Sequence, residues 1–128
     1  MKRMGLLIAA AAMSAFATVS FAEEAMTGAQ LTELLSAGKT IKLGGPGTGY
    51  SGELVLNADG TGKGEAKTDD GKNTFVIEGT WQIKGDTLCR TWAALDEGKK
   101  VCETWVMVEP KKVKVMNADK ELGVNSWD

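Results

Sequence analysis

The 128-residue chain contains no histidine. That removes the commonest general base, the commonest metal ligand and every Ser-His or Cys-His nucleophile pairing. Cysteine is scarce too, with only Cys89 and Cys102. In an exported chain an even cysteine count reads as a disulfide, which leaves no thiolate nucleophile. Apolar runs are missing beyond the first 22 residues, and none of them reaches the roughly 20 residues that cross a bilayer. Charge of one sign is never concentrated: 15 Lys and Arg stand against 17 Asp and Glu. Lysines and acids alternate without a basic block, so the positive face that nucleic acid requires is not written here.

What is present begins with a charged start, Lys2 and Arg3, then an uncharged apolar stretch from Gly5 to Met13. Small and apolar residues continue to Ser20-Phe21-Ala22, and Glu23 and Glu24 follow. These are the three parts of a secretory signal peptide over residues 1–22, with cleavage expected after Ala22 and Ala17 as the alternative. No cysteine lies near the cut, which argues against a lipid anchor. Residues 23–128 then form a single periplasmic or secreted domain with one modest core. The expected Cys89–Cys102 bridge closes a short loop, worth about 3 kcal/mol by chain entropy. Against a total stability of about 5–15 kcal/mol, that matters.

From Thr27 to Ala37 the leucines Leu31, Leu34 and Leu35 are spaced three and four apart, so a short amphipathic helix is expected. Thr27 caps its start and Gly38 ends it. Thr40–Leu43 is a possible short strand, and Gly44–Gly49 a glycine-rich connection. From Tyr50 onward the apolar period becomes two. Asp59-Gly60, Asp70-Gly71 and Gly85-Asp86 are hairpin signals, and Glu97-Gly98, Pro110-Lys111 and Ala118-Asp119 mark further reversals. The strands between them are Tyr50–Asn57, Thr61–Thr68, Asn73–Lys84, Thr87–Ala94, Lys100–Glu109, Lys112–Asn117 and Leu122–Trp127. The fold expected is mainly β: an antiparallel up-and-down meander of seven or eight strands over residues 50–127. It curls into a small, partly closed barrel with one short N-terminal helix.

Parity assigns the faces. Phe75, Ile77, Trp81 and Ile83 share one side. Val106, Val108, Val113 and Val115 are expected to share another, with Cys102 among them. If Cys89 bridges to Cys102 on that inner face, Arg90, Trp92, Glu103 and Trp105 point outward. This arrangement requires a three-residue turn or a bulge at Gly85-Asp86. A plain two-residue turn would exchange the faces and line the interior with Arg90 and Trp92. The first arrangement is favoured because it buries valines and cysteines.

No motif carries chemistry. Most acids sit in turns, which explains them without a carboxylate pair. Gly47-Thr48-Gly49-Tyr50-Ser51-Gly52 has the spacing of a dinucleotide-binding pattern but lies between a helix and a strand in the wrong order. Asn57-Ala58-Asp59-Gly60-Thr61-Gly62 lacks the distal acid of a calcium loop. No cofactor or metal is expected. The four tryptophans are the informative feature. Trp92 and Trp105, beside Arg90 and Glu103, form either a surface covered by the helix or a binding surface, since Trp and Arg favour interface hot spots.

The run Gly79-Thr80-Trp81-Gln82-Ile83, followed by Leu88-Cys89, Trp92 and Cys102, resembles a family of small exported proteobacterial domains of unknown function. That resemblance covers the middle third of the chain and implies export and a β-rich fold, with no activity or site residues. Small β-barrel inhibitors of secreted proteases or lysozyme share the size, signal peptide and single disulfide, as a fold-level analogy. The function expected is a non-enzymatic protein-binding module, an inhibitor or an envelope accessory factor. Its partner would be an envelope or extracellular protein that meets Arg90, Trp92, Glu103 and Trp105. The alternative is a carrier that encloses a small apolar or amphipathic ligand.

Overall fold

The computed structural model describes residues 23–128. The signal peptide assigned to residues 1–22 and its cleavage site lie outside the described residues. Strand β1 (Glu24–Ala25) leads into helix α1 (Gly28–Leu35), and eight strands follow. They are β2 (Lys39–Gly44), β3 (Tyr50–Leu56), β4 (Thr61–Thr68), β5 (Thr74–Lys84), β6 (Thr87–Trp92), β7 (Lys100–Glu109), β8 (Lys112–Asn117) and β9 (Lys120–Ser126). Each of these pairs antiparallel with the next. β2 and β9 also pair, through Lys42–Ser126 and Leu43–Asn125. The meander is therefore a closed eight-stranded barrel, where partial closure was expected, and closure gives each of the eight strands a neighbour on both sides. β1 lies outside it. It pairs with Val106 and Met107 of β7, beyond the Leu88–Glu103 pair at the start of β6.

Helix α1 covers one end. Thr27 and Gln30 form a reciprocal capping box, so two otherwise orphaned N–H groups are satisfied. Ser36 ends the helix, and Gly38 (φ +86°) turns the chain into β2. The Gly28 N–H donates to Asp86 Oδ1 at 2.7 Å, which docks the helix start on the β5–β6 turn. Leu31 and Leu35 are fully buried and join Ile41, Leu56, Leu88 and Trp105 in the core. Burial of each leucine stabilises by about 1.5–3 kcal/mol, more than an eight-residue helix gains from its own propensity.

The β5–β6 turn decides what the barrel contains. Lys84 pairs with Thr87, Ile83 with Leu88 and Trp81 with Arg90, across a plain two-residue turn at Gly85-Asp86. The expected longer turn or bulge does not form, and the faces exchange. Arg90, Trp92, Glu103 and Trp105 point inward, at 9, 4, 7 and 0% exposure, not outward as expected. Cys89 and Cys102 do form the disulfide, but on the outer wall across β6–β7. The β7–β8 hairpin corrects a second expectation. Trp105 faces Val115 and Met107 faces Val113, so Val113 and Val115 are inside. Val106 and Val108 are half-buried on the outer side, where Val106 pairs with Ala25.

Glycines make room for the rings. Trp92 reaches across Gly79 to Gly62. A Cβ on Gly62 would lie 2.7 Å from its ring, and one on Gly79 would lie 3.1 Å away. Trp81 is also inside, and its indole N–H donates to the Thr61 carbonyl at 2.9 Å. Trp127 stacks on Trp105 with ring centroids 6.2 Å apart.

Candidate functional site: the open end of the barrel

Opposite the helix, the barrel opens between the glycine-rich loop, the β4–β5 and β8–β9 turns and the Leu95–Lys99 loop. A cavity of about 310 Å³ enters there. Its origin is volumetric. The inward positions of β4 are Gly62, Gly64 and Ala66, so this strand sends no large side chain into the barrel. Trp92 fills the space over Gly62, while the space near Ala66 stays open. An eight-stranded barrel is just wide enough to be filled or to hold one small molecule, and here it is filled at one end only. Leu43, Leu54, Ile77, Leu95 and Val115 line the cavity wall. Phe75 and Leu122 stand at the rim, 43% and 37% exposed.

The cavity floor is polar. The Arg90 Nε donates to Glu103 Oε2 at 3.3 Å, and the Trp105 indole N–H donates to Glu103 Oε1 at 2.9 Å. Arg90 Nη1 donates to Asp96 Oδ2, which reaches in from the loop after β6. Burial pushes the Glu103 carboxyl above the ordinary carboxylate range, while the Trp105 N–H and the Arg90 guanidinium draw it back down. Asp96 and Glu97 both adopt left-handed backbone, φ +54° and +57°. Each such residue costs on the order of 1 kcal/mol or more. The Asp96–Arg90 ion pair offsets part of that cost and folds the loop over the mouth.

Tyr50 and Asn125 complete the site. Tyr50 lies against Gly44 and Gly123, positions where any Cβ would collide with its ring or hydroxyl. Its hydroxyl accepts the Val124 N–H at 2.9 Å. Asn125 of β9 faces inward at 7% exposure and lines the cavity. A larger groove, of about 900 Å³, runs over the outer face of β2–β4. Its Lys42, Glu53, Lys63 and Glu65 side chains are exposed, so it is a solvated, charge-alternating wall.

The four residues singled out in the sequence are therefore together, but inside: Arg90 and Glu103 form the floor, with Trp92 and Trp105 beneath it. Asp96, Tyr50 and Asn125 were not anticipated. Signals existed for two of them. Asn125 alternates with Gly123 and Trp127 on one strand face, and the single tyrosine is flanked by Gly49 and Gly52. Among the described residues no helix is long and apolar enough to cross a membrane. No protein family, curated protein or solved structure matches the chain.

Proposed function

We propose that the protein binds a small, largely apolar molecule in the open end of its barrel, as an exported carrier or scavenger with no catalytic step. The observation that carries this reading is the 310 Å³ cavity, apolar on its walls, polar on its floor and rimmed by exposed Phe75 and Leu122. Ligand sites have this make-up: a mainly apolar concavity of about 300–1,000 Å³ with a few convergent polar groups. The disulfide on the outer wall fits an oxidising compartment. A protein-binding module remains the second reading. With Arg90, Trp92, Glu103 and Trp105 buried, its surface would centre on Val55 and Val76, exposed together on the outer groove over β2–β4.

The test uses N-phenyl-1-naphthylamine, a neutral apolar dye that brightens when it leaves water. Ala66 lines the cavity, and Ala66→Phe fills it. The native protein brightens the dye at a saturable 1:1 stoichiometry and the variant does not. Bound dye also raises the melting temperature of the native protein. Equal brightening by both proteins, or none by either, overturns the reading.

A further inference from the structure

Resting on that reading, we propose that the cavity selects uncharged ligands whose one polar end carries a hydrogen-bond-accepting oxygen, such as an amide, ketone or lactone, and that it rejects carboxylates. Two observations carry this.

The first is charge. Arg90 is the cation on the cavity floor, and it already faces two carboxylates, Glu103 through Nε and Asp96 through Nη1. A buried arginine without partners would recruit an anion. This one is over-matched, so a third carboxylate would enter a site that is neutral even with Glu103 protonated and negative without that proton. In a weakly screened interior that repulsion is not relieved by salt. An ammonium is disfavoured for a different reason. Both Glu103 oxygens are engaged, by Arg90 and Trp105, and the guanidinium lies beside them.

The second observation is the set of donors left over. Among the described residues, Arg90 Nη2 has no protein partner, because Nε and Nη1 take the two acids. The Asn125 side chain also has none, although it is more than nine-tenths buried and lines the same cavity. No fully enclosed side-chain polar atom is left unpaired, so these atoms reach the cavity itself. A ligand that fills the cavity cuts these groups off from water, so its polar end must partner them or forfeit about 1–3 kcal/mol for each. A carbonyl oxygen that accepts from Arg90 and Asn125 relieves both groups. An amide ligand can also donate to the Asn125 carbonyl. The apolar remainder of the ligand then lies between Leu54, Ile77 and Phe75, towards the mouth.

The experiment compares three probes of one shape on the full mature protein: octanamide, octanoate and octylammonium, each titrated by NMR with the Asn125 side-chain amide as reporter. Octanamide is expected to bind at least about tenfold tighter than either ion, a difference of ~1.4 kcal/mol, and to shift the Asn125 signals. Asp96→Asn removes one acid from Arg90 and keeps a residue that tolerates left-handed backbone. It is expected to tighten octanoate several-fold relative to octanamide, so the preference for the amide narrows. If octanoate or octylammonium binds as tightly as octanamide, the class assignment falls while the carrier reading stands. The same holds if none of the three binds but the naphthylamine dye does. Failure of all four probes overturns both. An Asp96→Asn variant with an unaltered preference for octanamide over octanoate refutes the charge argument specifically.

Discussion

Gly62→Ala and Trp92→Phe, separately and together, test the inward register of β6. In the native barrel the Trp92 ring crosses Gly79 and comes to rest over Gly62. A Cβ at position 62 would lie 2.7 and 2.9 Å from two ring carbons and 3.3 Å from a Leu56 methyl. Carbon atoms in van der Waals contact prefer about 3.5–4.0 Å, so the indole must retreat by about 1 Å within a packed core. Overpacking of that kind costs about 1–3 kcal/mol. In a domain of this size each kcal/mol lowers the melting temperature by about 4–8 °C. Trp92→Phe removes the part of the ring that reaches Gly62 and leaves a small void, for about 1–2 kcal/mol. In the double variant the new methyl occupies that void, so the combined loss should fall short of the sum by at least about 1 kcal/mol. Urea denaturation followed by far-ultraviolet circular dichroism measures all four corners of the cycle. Losses that add to within about 0.5 kcal/mol, as for sites that do not touch, would refute the inward placement of Trp92. With it would go the two-residue turn at Gly85-Asp86.

Two further outcomes follow from the site and the disulfide. Because the Glu103 carboxyl is raised in the fold, the native state holds that proton more tightly than the unfolded chain. Its contribution to stability therefore declines as pH climbs from the ordinary 4.5 through the folded value. Asp59 and Asp70 are held low by Thr61 and Thr68, so their contribution is lost as pH falls below the ordinary 3.8. Urea midpoints should peak in the weakly acidic range, and Glu103→Gln should flatten the decline towards neutral pH. A wild-type midpoint that rises steadily from about pH 5 to pH 8 would contradict the Glu103 assignment. Reduction of the Cys89–Cys102 bridge, which spans 13 residues, should cost about 3 kcal/mol. It should leave dye binding intact, because the bridge lies outside the barrel. An unchanged urea midpoint in reductant would show that the bridge adds nothing to stability.

What could be read from residues alone was whatever is set by neighbours a few positions away. Thr27 and Gln30 cap a helix because their side chains reach each other's backbone, whatever lies beyond. Asp59-Gly60, Asp70-Gly71 and Gly85-Asp86 reverse the chain because glycine accepts positive φ, and those dipeptides placed β3–β6 within a residue or two. Strand parity was local as well: Phe75, Ile77, Trp81 and Ile83 do share a face. Which face turned inward was not local. It hinged on a single residue of register at Gly85-Asp86, and that turn is held by a distant partner, the start of α1, through the Gly28 N–H and Asp86. By residue type alone, burying valines and cysteines is the better choice. The fold instead buries Arg90 and Glu103, because each supplies the other's charge and Trp105 satisfies the remaining carboxylate oxygen. The cavity lay further out of reach, since it is the difference between the space eight strands enclose and the volumes their side chains bring. Gly62, Gly64 and Ala66 hinted at that shortfall. Only the closure of β2 on β9 made it a chamber, with Asn125 set inside.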